Sequence, residues 1–197
     1  MRKPQPGTER LGAFSDGVLA IIITIMVLDL KAPHDASPDA LLALWPTFLS
    51  YALSYLFIGV FWANHHHMLQ YAERASHTII WANLLVLFFV SLIPFFTAYM
   101  AENRMQPFTT ALYAGVFFLV TVAFMILQKT VANESAPDGE SKQRYRTASK
   151  RNWIALVAYV FAIFAAWLHP ALSLIVIFGI AALYFIPDAF SRRQSKP

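Results

Sequence analysis

The chain has 197 residues, of which 58% are hydrophobic and 13% are charged, and its mean hydropathy is +0.52. Because a soluble globular domain carries about 25% charged residues, this composition argues against a disordered chain and a soluble enzyme domain, and favours a membrane protein. Cysteine is absent, which excludes disulfides, thiolate catalysis and cysteine-ligated metals.

Apolar runs separated by polar breaks predict six membrane-spanning helices in one all-α domain over residues 1–197. Most runs reach the length of about 20 residues that crosses a bilayer core, whereas the last two are short. The predicted spans are residues 11–30, 41–62, 78–100, 108–127, 153–168 and 171–186. Pro94 lies inside the third span and predicts a kink.

The basic residues predict the orientation of the spans. With the N-terminus inside, the inner segments hold thirteen Lys and Arg residues, and the outer segments hold only Lys31 and Arg104. Basic residues favour the cytoplasmic side, so we expect cytoplasmic N- and C-termini and a polar cytoplasmic loop over residues 130–150. The basic start and apolar run of the first span also fit a signal peptide. However, Asp16 interrupts that run and no small-x-small cleavage pair follows it, which favours a retained span.

The first span combines an acidic residue with an apolar stripe. A carboxylate at membrane depth is costly unless it is paired or hydrated, so Asp16 requires a partner. On a helical wheel Arg10 lies about 120° from Asp16, which favours partners on neighbouring helices. A separate arc holds Gly17, Ile21, Thr24, Ile25 and Leu28. This stripe is either a helix-packing face or a pore lining, in which aliphatic side chains form a constriction and one hydroxyl contacts a cation.

Three sets of motifs carry a family resemblance. They are Arg10-Leu-Gly-Ala-Phe14-Ser15-Asp16-Gly17, then Phe61-Trp62-Ala63-Asn64-His65-His66-His67, and then Trp81-Ala82-Asn83-Leu84-Leu85 with Ile93-Pro94-Phe95-Phe96-Thr97. The first matches the pattern R-x-x-x-F-S-D. Together they resemble the endosomal/lysosomal potassium channel family (transmembrane protein 175), in its single-repeat bacterial form.

The resemblance implies a potassium-selective channel in the bacterial inner membrane, a homotetramer of six-helix subunits whose first helices line a central pore. It implies that Ile21 is the first constriction residue and Thr24 the selectivity hydroxyl, with Ile25 and Leu28 as further pore-lining residues. It also implies a hydrogen-bond network that holds the pore helix, which we expect to involve Arg10, Phe14, Ser15, Asp16, His67, His77 and Trp81. The sequence lacks a T-V-G-Y-G filter, so selectivity by a cage of carbonyls is not predicted.

The run His65-His66-His67 raises the alternative of a metal site. Consecutive helical residues point about 100° apart, so the three rings cannot converge on one ion. We therefore expect no metal, no cofactor besides permeant K⁺, no enzymatic activity and no nucleic-acid partner; the partners are other copies of the chain, the lipid bilayer and potassium ions. Two rivals stay open: a proton-coupled secondary transporter that uses Asp16 and the histidines as a relay, and a membrane-embedded metal enzyme.

Overall fold

The structure, a computed structural model, describes residues 6–134 and 139–185, and all regular structure in these residues is helical. The helices are α1 (Pro6–Ile25), which continues as a 3₁₀ turn (Met26–Asp29), α2 (Pro38–Leu42), α3 (Trp45–Leu69), α4 (His77–Ser91), α5 (Ile93–Glu102), α6 (Pro107–Glu134), α7 (Gly139–Leu168) and α8 (Pro170–Phe185). The all-α expectation is confirmed for the described residues.

Five helical segments of the described chain are long and apolar enough to cross a membrane. They are Gly7–Asp29, Trp45–Leu69, His77–Glu102, Pro107–Glu134 and Ala148–Leu168. The sixth predicted span corresponds to a shorter apolar helix, Pro170–Tyr184, and residue 186 at its expected end lies outside the described residues. The helices therefore agree with the first four predicted spans in position and approximate length. The fifth was predicted as short, over residues 153–168, and this is wrong, because its spanning segment Ala148–Leu168 has 21 residues.

The segment 130–150, predicted as a polar loop, is mostly helical. α6 continues to Glu134 and α7 begins at Gly139, while residues 135–138 lie outside the described part. The reason is that a helix satisfies its own backbone hydrogen bonds in water as well as in lipid. Charged residues such as Lys, Arg and Glu are good helix formers, so a spanning helix can extend beyond the apolar run that reveals it.

The predicted kink at Pro94 takes the form of a short break between two helices. α4 ends at Ser91, and α5 begins at Ile93 with Pro94 in its first turn. A proline is tolerated there because the first backbone N–H groups of a helix have no intrahelical acceptor to lose. The two helices together form the third span, and Thr97 of α5 is buried in the bundle.

The long helices form a bundle with two distinguishable ends. Successive spans run in alternating directions, and the start of α1 meets the α3–α4 connection, where Ala75 Cβ lies 3.5 Å from the position of an added Cβ on Gly7. Arg74 in that connection lies beside the end of α6, with its Nε 3.8 Å from Oε2 of Glu134. We call this side the basic end, because Arg10, Arg74, Lys129, Lys150 and Arg151 lie at it, and the other side the opposite end.

The helices pack so that α1 lies against one side of the bundle. α1 contacts α3 and α4, whereas α6, α7 and α8 pack on one another, with α6 also against α4 and α5. A buried hydroxyl cluster joins α3, α5 and α6: Ser54 Oγ lies 2.7 Å from both Thr97 Oγ1 and Tyr113 OH. The core therefore surrounds α6, and α1 has only part of its circumference covered.

Candidate pore helix and its hydrogen-bond network

α1 buries one face against the rest of the subunit. Its buried residues recur every three or four positions and are Thr8, Leu11, Ser15, Leu19 and Ile22, and Met26 of the 3₁₀ turn continues the series. This spacing places them on a single stripe of an α-helix, which is the stripe that contacts α3 and α4. The orientation of α1 within the subunit is thus defined by apolar packing along most of its length.

The face of α1 that carries the stripe identified in the sequence is exposed. Ile21 is 65% exposed, Ile25 48% and Leu28 73%, and Thr24 is exposed between them. A Cβ added to Gly17 would meet no atom within 4 Å. Packing within the subunit therefore does not account for this stripe, which is available to a second copy, to lipid or to a pore.

Thr24 presents an oxygen on the exposed face of α1. Its Oγ1 lies 2.8 Å from the Ala20 carbonyl oxygen and 3.0 Å from that of Ile21, both in the preceding turn. The hydroxyl hydrogen is donated to these carbonyls, so the lone pairs of the same oxygen are directed away from the helix backbone. An oxygen in this arrangement can accept a hydrogen bond from water or contact a cation.

The buried face of α1 is held by a polar chain through α4 to α3. Ser15 Oγ donates to the Leu11 carbonyl at 2.9 Å and accepts from Asn83 Nδ2 at 2.9 Å. Asn83 Oδ1 lies 2.7 Å from His65 Nε2, which must donate because a carbonyl oxygen only accepts. Ser15, His65 and Asn83 are fully buried, so water does not reach them and each side chain provides a hydrogen-bond partner for its neighbour in the chain.

Asp16 has partners on α3, as its depth requires. Its Oδ1 accepts a hydrogen bond from Trp62 Nε1 at 2.8 Å, and its Oδ2 lies 3.6 Å from His66 Nδ1. The side chains of Asp16 and His66 remain 37% and 42% exposed, so this contact is partly open while the Ser15 chain is closed. Adjacent residues of α1 are thus linked to two different helices.

The histidines of α3 that contact this network are not the one expected from the sequence. His65 and His66 contact it, whereas the exposed His67 packs its ring beside His66, with centroids 6.1 Å apart. Successive side chains of α3 point about 100° apart, so one faces α4, the next faces α1 and the third faces outward. Because the three histidine rings diverge in this way, they do not converge on one metal ion. In the described residues no group of three or more His, Cys, Asp or Glu side chains is placed to hold a metal ion.

The other expected members of the network lie apart from these bonds in the subunit. Trp81 Nε1 donates to His77 Nε2 at 2.8 Å, one turn away on α4, and both side chains are exposed. Arg10 and Phe14 are also exposed, on α1. Trp62 and Asn83 were not predicted as bonding partners, and His67 was expected in the place that His65 and His66 take, although all these residues lie within the motifs quoted from the sequence.

Known proteins match both the sequence and the arrangement of these helices. Residues 10–94, which include all of the network above, match the family described as endosomal/lysosomal potassium channel TMEM175. A potassium channel of Chryseobacterium sp. (strain P1-3) is 35% identical over 179 residues, which cover 91% of this chain and 93% of the relative. This chain belongs to the TMEM175 channel family.

Further relatives agree with that assignment. A potassium channel of Chamaesiphon minutus is 31% identical, and the match covers 92% of this chain and 94% of that protein. The crystal structure of a lysosomal potassium-selective channel TMEM175 homolog from Chamaesiphon minutus superposes with a TM-score of 0.85 at 30% identity, over 94% of this chain and 100% of the other. The mouse relative, named an endosomal/lysosomal proton channel, is 35% identical over 98 residues, covering 44% of this chain and 20% of its own length.

Proposed function

We propose that this TMEM175 family member is a passive, potassium-selective cation channel, a homotetramer of six-helix subunits in which four α1 helices line a central pore. The observation that carries the proposal is the division of α1 into two faces. One face is buried and hydrogen-bonded through Ser15, and the other exposes Ile21, Thr24 and Leu28 without a packing partner in the described subunit. The names of the bacterial relatives supply the ion, K⁺.

In this proposal the constriction is apolar and the hydroxyl discriminates between ions. Four copies of Ile21, and further along Ile25 and Leu28, narrow the pore enough to exclude a wide water column. A cation must then give up part of its hydration shell, and K⁺ does so at lower cost than Na⁺. Thr24, with its oxygen lone pairs directed away from the backbone, replaces part of that shell.

The network fixes which residues of α1 reach the axis. A rotation of α1 by one residue, about 100°, would move Ile21 off the pore and break the Ser15–Asn83 and Asp16–Trp62 bonds together. We therefore assign Ser15 and Asp16 to the positioning of the pore helix. They contact neighbouring helices rather than the permeating ion.

The same proposal includes six spans with both termini on the cytoplasmic side of the bacterial inner membrane. The concentration of basic residues at one end of the bundle supports this orientation. The short helix Pro170–Tyr184 serves as the sixth span. Local thinning of the bilayer and the tilt of its neighbours accommodate a helix of this length.

The direct test is ion flux through the purified protein in liposomes. We expect K⁺ efflux without valinomycin, faster than Na⁺ efflux under the same gradient, and ohmic single-channel steps in planar bilayers. Protein-free liposomes are the control, and valinomycin added at the end shows that the vesicles retained their K⁺. Absence of valinomycin-independent K⁺ flux from vesicles that contain folded protein would contradict the channel.

A proton-coupled secondary transporter is the second candidate. It is favoured by the half-exposed contact between Asp16 and His66, which brings a carboxylate within 3.6 Å of an imidazole at membrane depth. A transporter would give saturable K⁺ movement that requires a proton gradient and no unitary current steps. A channel gives unitary currents that continue when the proton gradient is abolished.

A further inference from the structure

The end of α3 at the basic end of the bundle carries three consecutive residues that contact three different helices. Asn64 Oδ1 accepts a hydrogen bond from Arg151 Nη2 of α7 at 3.0 Å. The next two residues, His65 and His66, contact α4 and α1 through the network described above. Because successive side chains of a helix point about 100° apart, this end of α3 is held from three directions at once.

The bond between α3 and α7 has a defined geometry on both sides. Asn64 Nδ2 donates to the Val60 carbonyl, one turn earlier, at 2.8 Å, so Oδ1 of the same amide is left to accept from Arg151. On the other side, the Arg151 guanidinium carbon lies 4.7 Å from the centre of the Tyr184 ring of α8. A flat group that stacks on a ring and donates at a fixed angle is a property of arginine that lysine lacks.

The ring that supports Arg151 is itself held in place. Tyr184 OH donates to Asn152 Oδ1 at 2.6 Å, and Asn152 Nδ2 donates to Gln128 Oε1 of α6 at 2.9 Å. Asn152 and Gln128 are buried, so water does not compete for the bond between them. Arg151 therefore connects the packed core of α6, α7 and α8 to the end of α3 that contacts α1.

We propose that Arg151 is a positioning residue of the pore helix, which it reaches through the end of α3. The inference rests on the proposed function, in which the rotation of α1 decides which side chains face the axis. Trp62 and His66 hold Asp16 from α3, so a displaced end of α3 carries both contacts of Asp16 with it. Arg151 lies outside residues 10–94, which match the family, and brings α7 into the alignment of the pore.

The first test measures the rotation of α1 with a spin label on the full-length protein in liposomes. Labelled Ile21→Cys lies on the exposed face of α1, and labelled Ile23→Cys lies on a half-buried face. The label at position 21 should collide severalfold more often with a relaxation agent, either a water-soluble nickel complex or oxygen dissolved in lipid. Arg151→Gln should reduce this contrast severalfold. Lys150→Gln, at the exposed neighbour on α7, removes the same charge and should leave the contrast unchanged.

The choice of relaxation agent separates this inference from the channel itself. In a water-filled pore the label at position 21 responds to the nickel complex, whereas on a lipid-facing surface it responds to oxygen alone. A response to oxygen alone would contradict the proposed pore. The effect of Arg151→Gln on the contrast would still show whether Arg151 positions α1.

The second test is the ratio of K⁺ flux to Na⁺ flux in liposomes. Arg151→Gln should lower this ratio severalfold, and Arg151→Lys, which retains the charge and a donor, should preserve part of it. Asn64→Leu removes the same bond from the side of α3 and should reproduce the effect. The two substitutions together should have less than the product of their separate effects, because they remove one contact. If Arg151→Gln does not fold, Asn64→Leu serves in both tests.

Several results would overturn the positioning role. They are an unchanged contrast and flux ratio in folded Arg151→Gln, an equal effect of Lys150→Gln, and fully multiplicative effects of Asn64→Leu and Arg151→Gln. Lower thermal stability of Arg151→Gln with an unchanged contrast would also overturn it, because Arg151 would then stabilise the fold without orienting α1.

Discussion

Ile21 combines an apolar side chain with high exposure on a helix whose other face is packed. Replacing it with serine removes bulk and hydrophobicity at the proposed constriction, so Ile21→Ser should raise K⁺ flux severalfold and lower the K⁺/Na⁺ ratio. The measurement is liposome flux of both ions. Ile154→Ser on α7, where the isoleucine is 59% exposed, is the matched control and should leave flux unchanged. Equal effects of the two substitutions would contradict the assignment.

Thr24 is expected to act through its oxygen alone. Thr24→Val keeps the shape of the side chain and removes the hydroxyl, so K⁺ preference over Na⁺ should fall while the protein stays folded. Thr130→Val is the control, since Thr130 Oγ1 on α6 makes the same kind of bond, to the Ile126 carbonyl at 2.9 Å. Reversal potentials in mixed K⁺ and Na⁺ solutions measure the ratio, and an unchanged ratio in Thr24→Val would contradict the role.

Asn83 is the middle member of the buried hydrogen-bond chain, because its side-chain amide bonds both Ser15 and His65. Asn83→Leu leaves these two groups without their partner away from water, which should lower stability by about 1–3 kcal/mol. Unfolding of the purified protein in mixed micelles measures the loss. Asn103→Leu, which removes a bond to the Tyr99 carbonyl of the same helix end, should cost less. Ser15→Ala combined with Asn83→Leu should be less than additive, and full additivity would contradict the bond.

The need of Asp16 for a partner on a neighbouring helix was predictable from one sequence, but the identity of the partner was not. A carboxylate at membrane depth needs a hydrogen-bond donor or a positive charge beside it, so its residue type and position in the span are sufficient evidence. The choice among His65, His66 and His67 depends on the rotation of α3 about its axis. That rotation is decided by packing against α1 and α4, and each residue of error turns the side chain by about 100°.

At the scale of elements, hydropathy revealed where a helix crosses the membrane and not where it ends. α6 extends to Glu134 and α7 begins at Gly139, both within the polar segment that was expected as a loop, because their backbone bonds are internal in either medium. The sixth span was predicted as short, and its helix is short. Proline gave sharper information, because Pro94 and Pro170 both lie in the first turn of a helix, where their missing N–H is tolerated.

The two faces of α1 can be distinguished by chemical modification, because the chain has no native cysteine. Single cysteines at positions 17, 21, 24 and 28 should react with a water-soluble thiol reagent in liposomes, since the thiolate forms in water and not in lipid. Cysteines at positions 19, 22 and 26 on the buried face should be protected.

The same experiment separates a water-filled pore from a lipid-facing surface. Val157→Cys on α7 and Ile175→Cys on α8 provide the control, because these residues are 65% and 66% exposed at membrane depth. They should remain unreactive if exposure there is to lipid. If the cysteines at positions 17, 21, 24 and 28 were as unreactive as these two controls, the exposed face of α1 would lie in lipid, which would contradict the pore.

At the scale of the whole molecule, the subunit has two parts, of which one contains the proposed pore helix and its network. The family match over residues 10–94 includes α1, α3, α4 and the start of α5, which contain the exposed stripe and the network that orients it. α6, α7 and α8 form the other part of the core, and a small apolar cavity lies between them and α3. The family and the all-helical fold were predictable from the sequence. The cavity was not, because its walls come from four helices that are distant in sequence.

A single α1 helix cannot enclose a pore, so the proposed pore requires further copies of the chain. We expect a tetramer by light scattering and native mass spectrometry, and four α1 helices close enough for Ile21→Cys to form disulfides between subunits under mild oxidation. Ile175→Cys on α8, at the outer surface of the bundle, should not cross-link. A monomer that still conducts K⁺, or cross-linking confined to Ile175→Cys, would place the conducting path elsewhere than on α1.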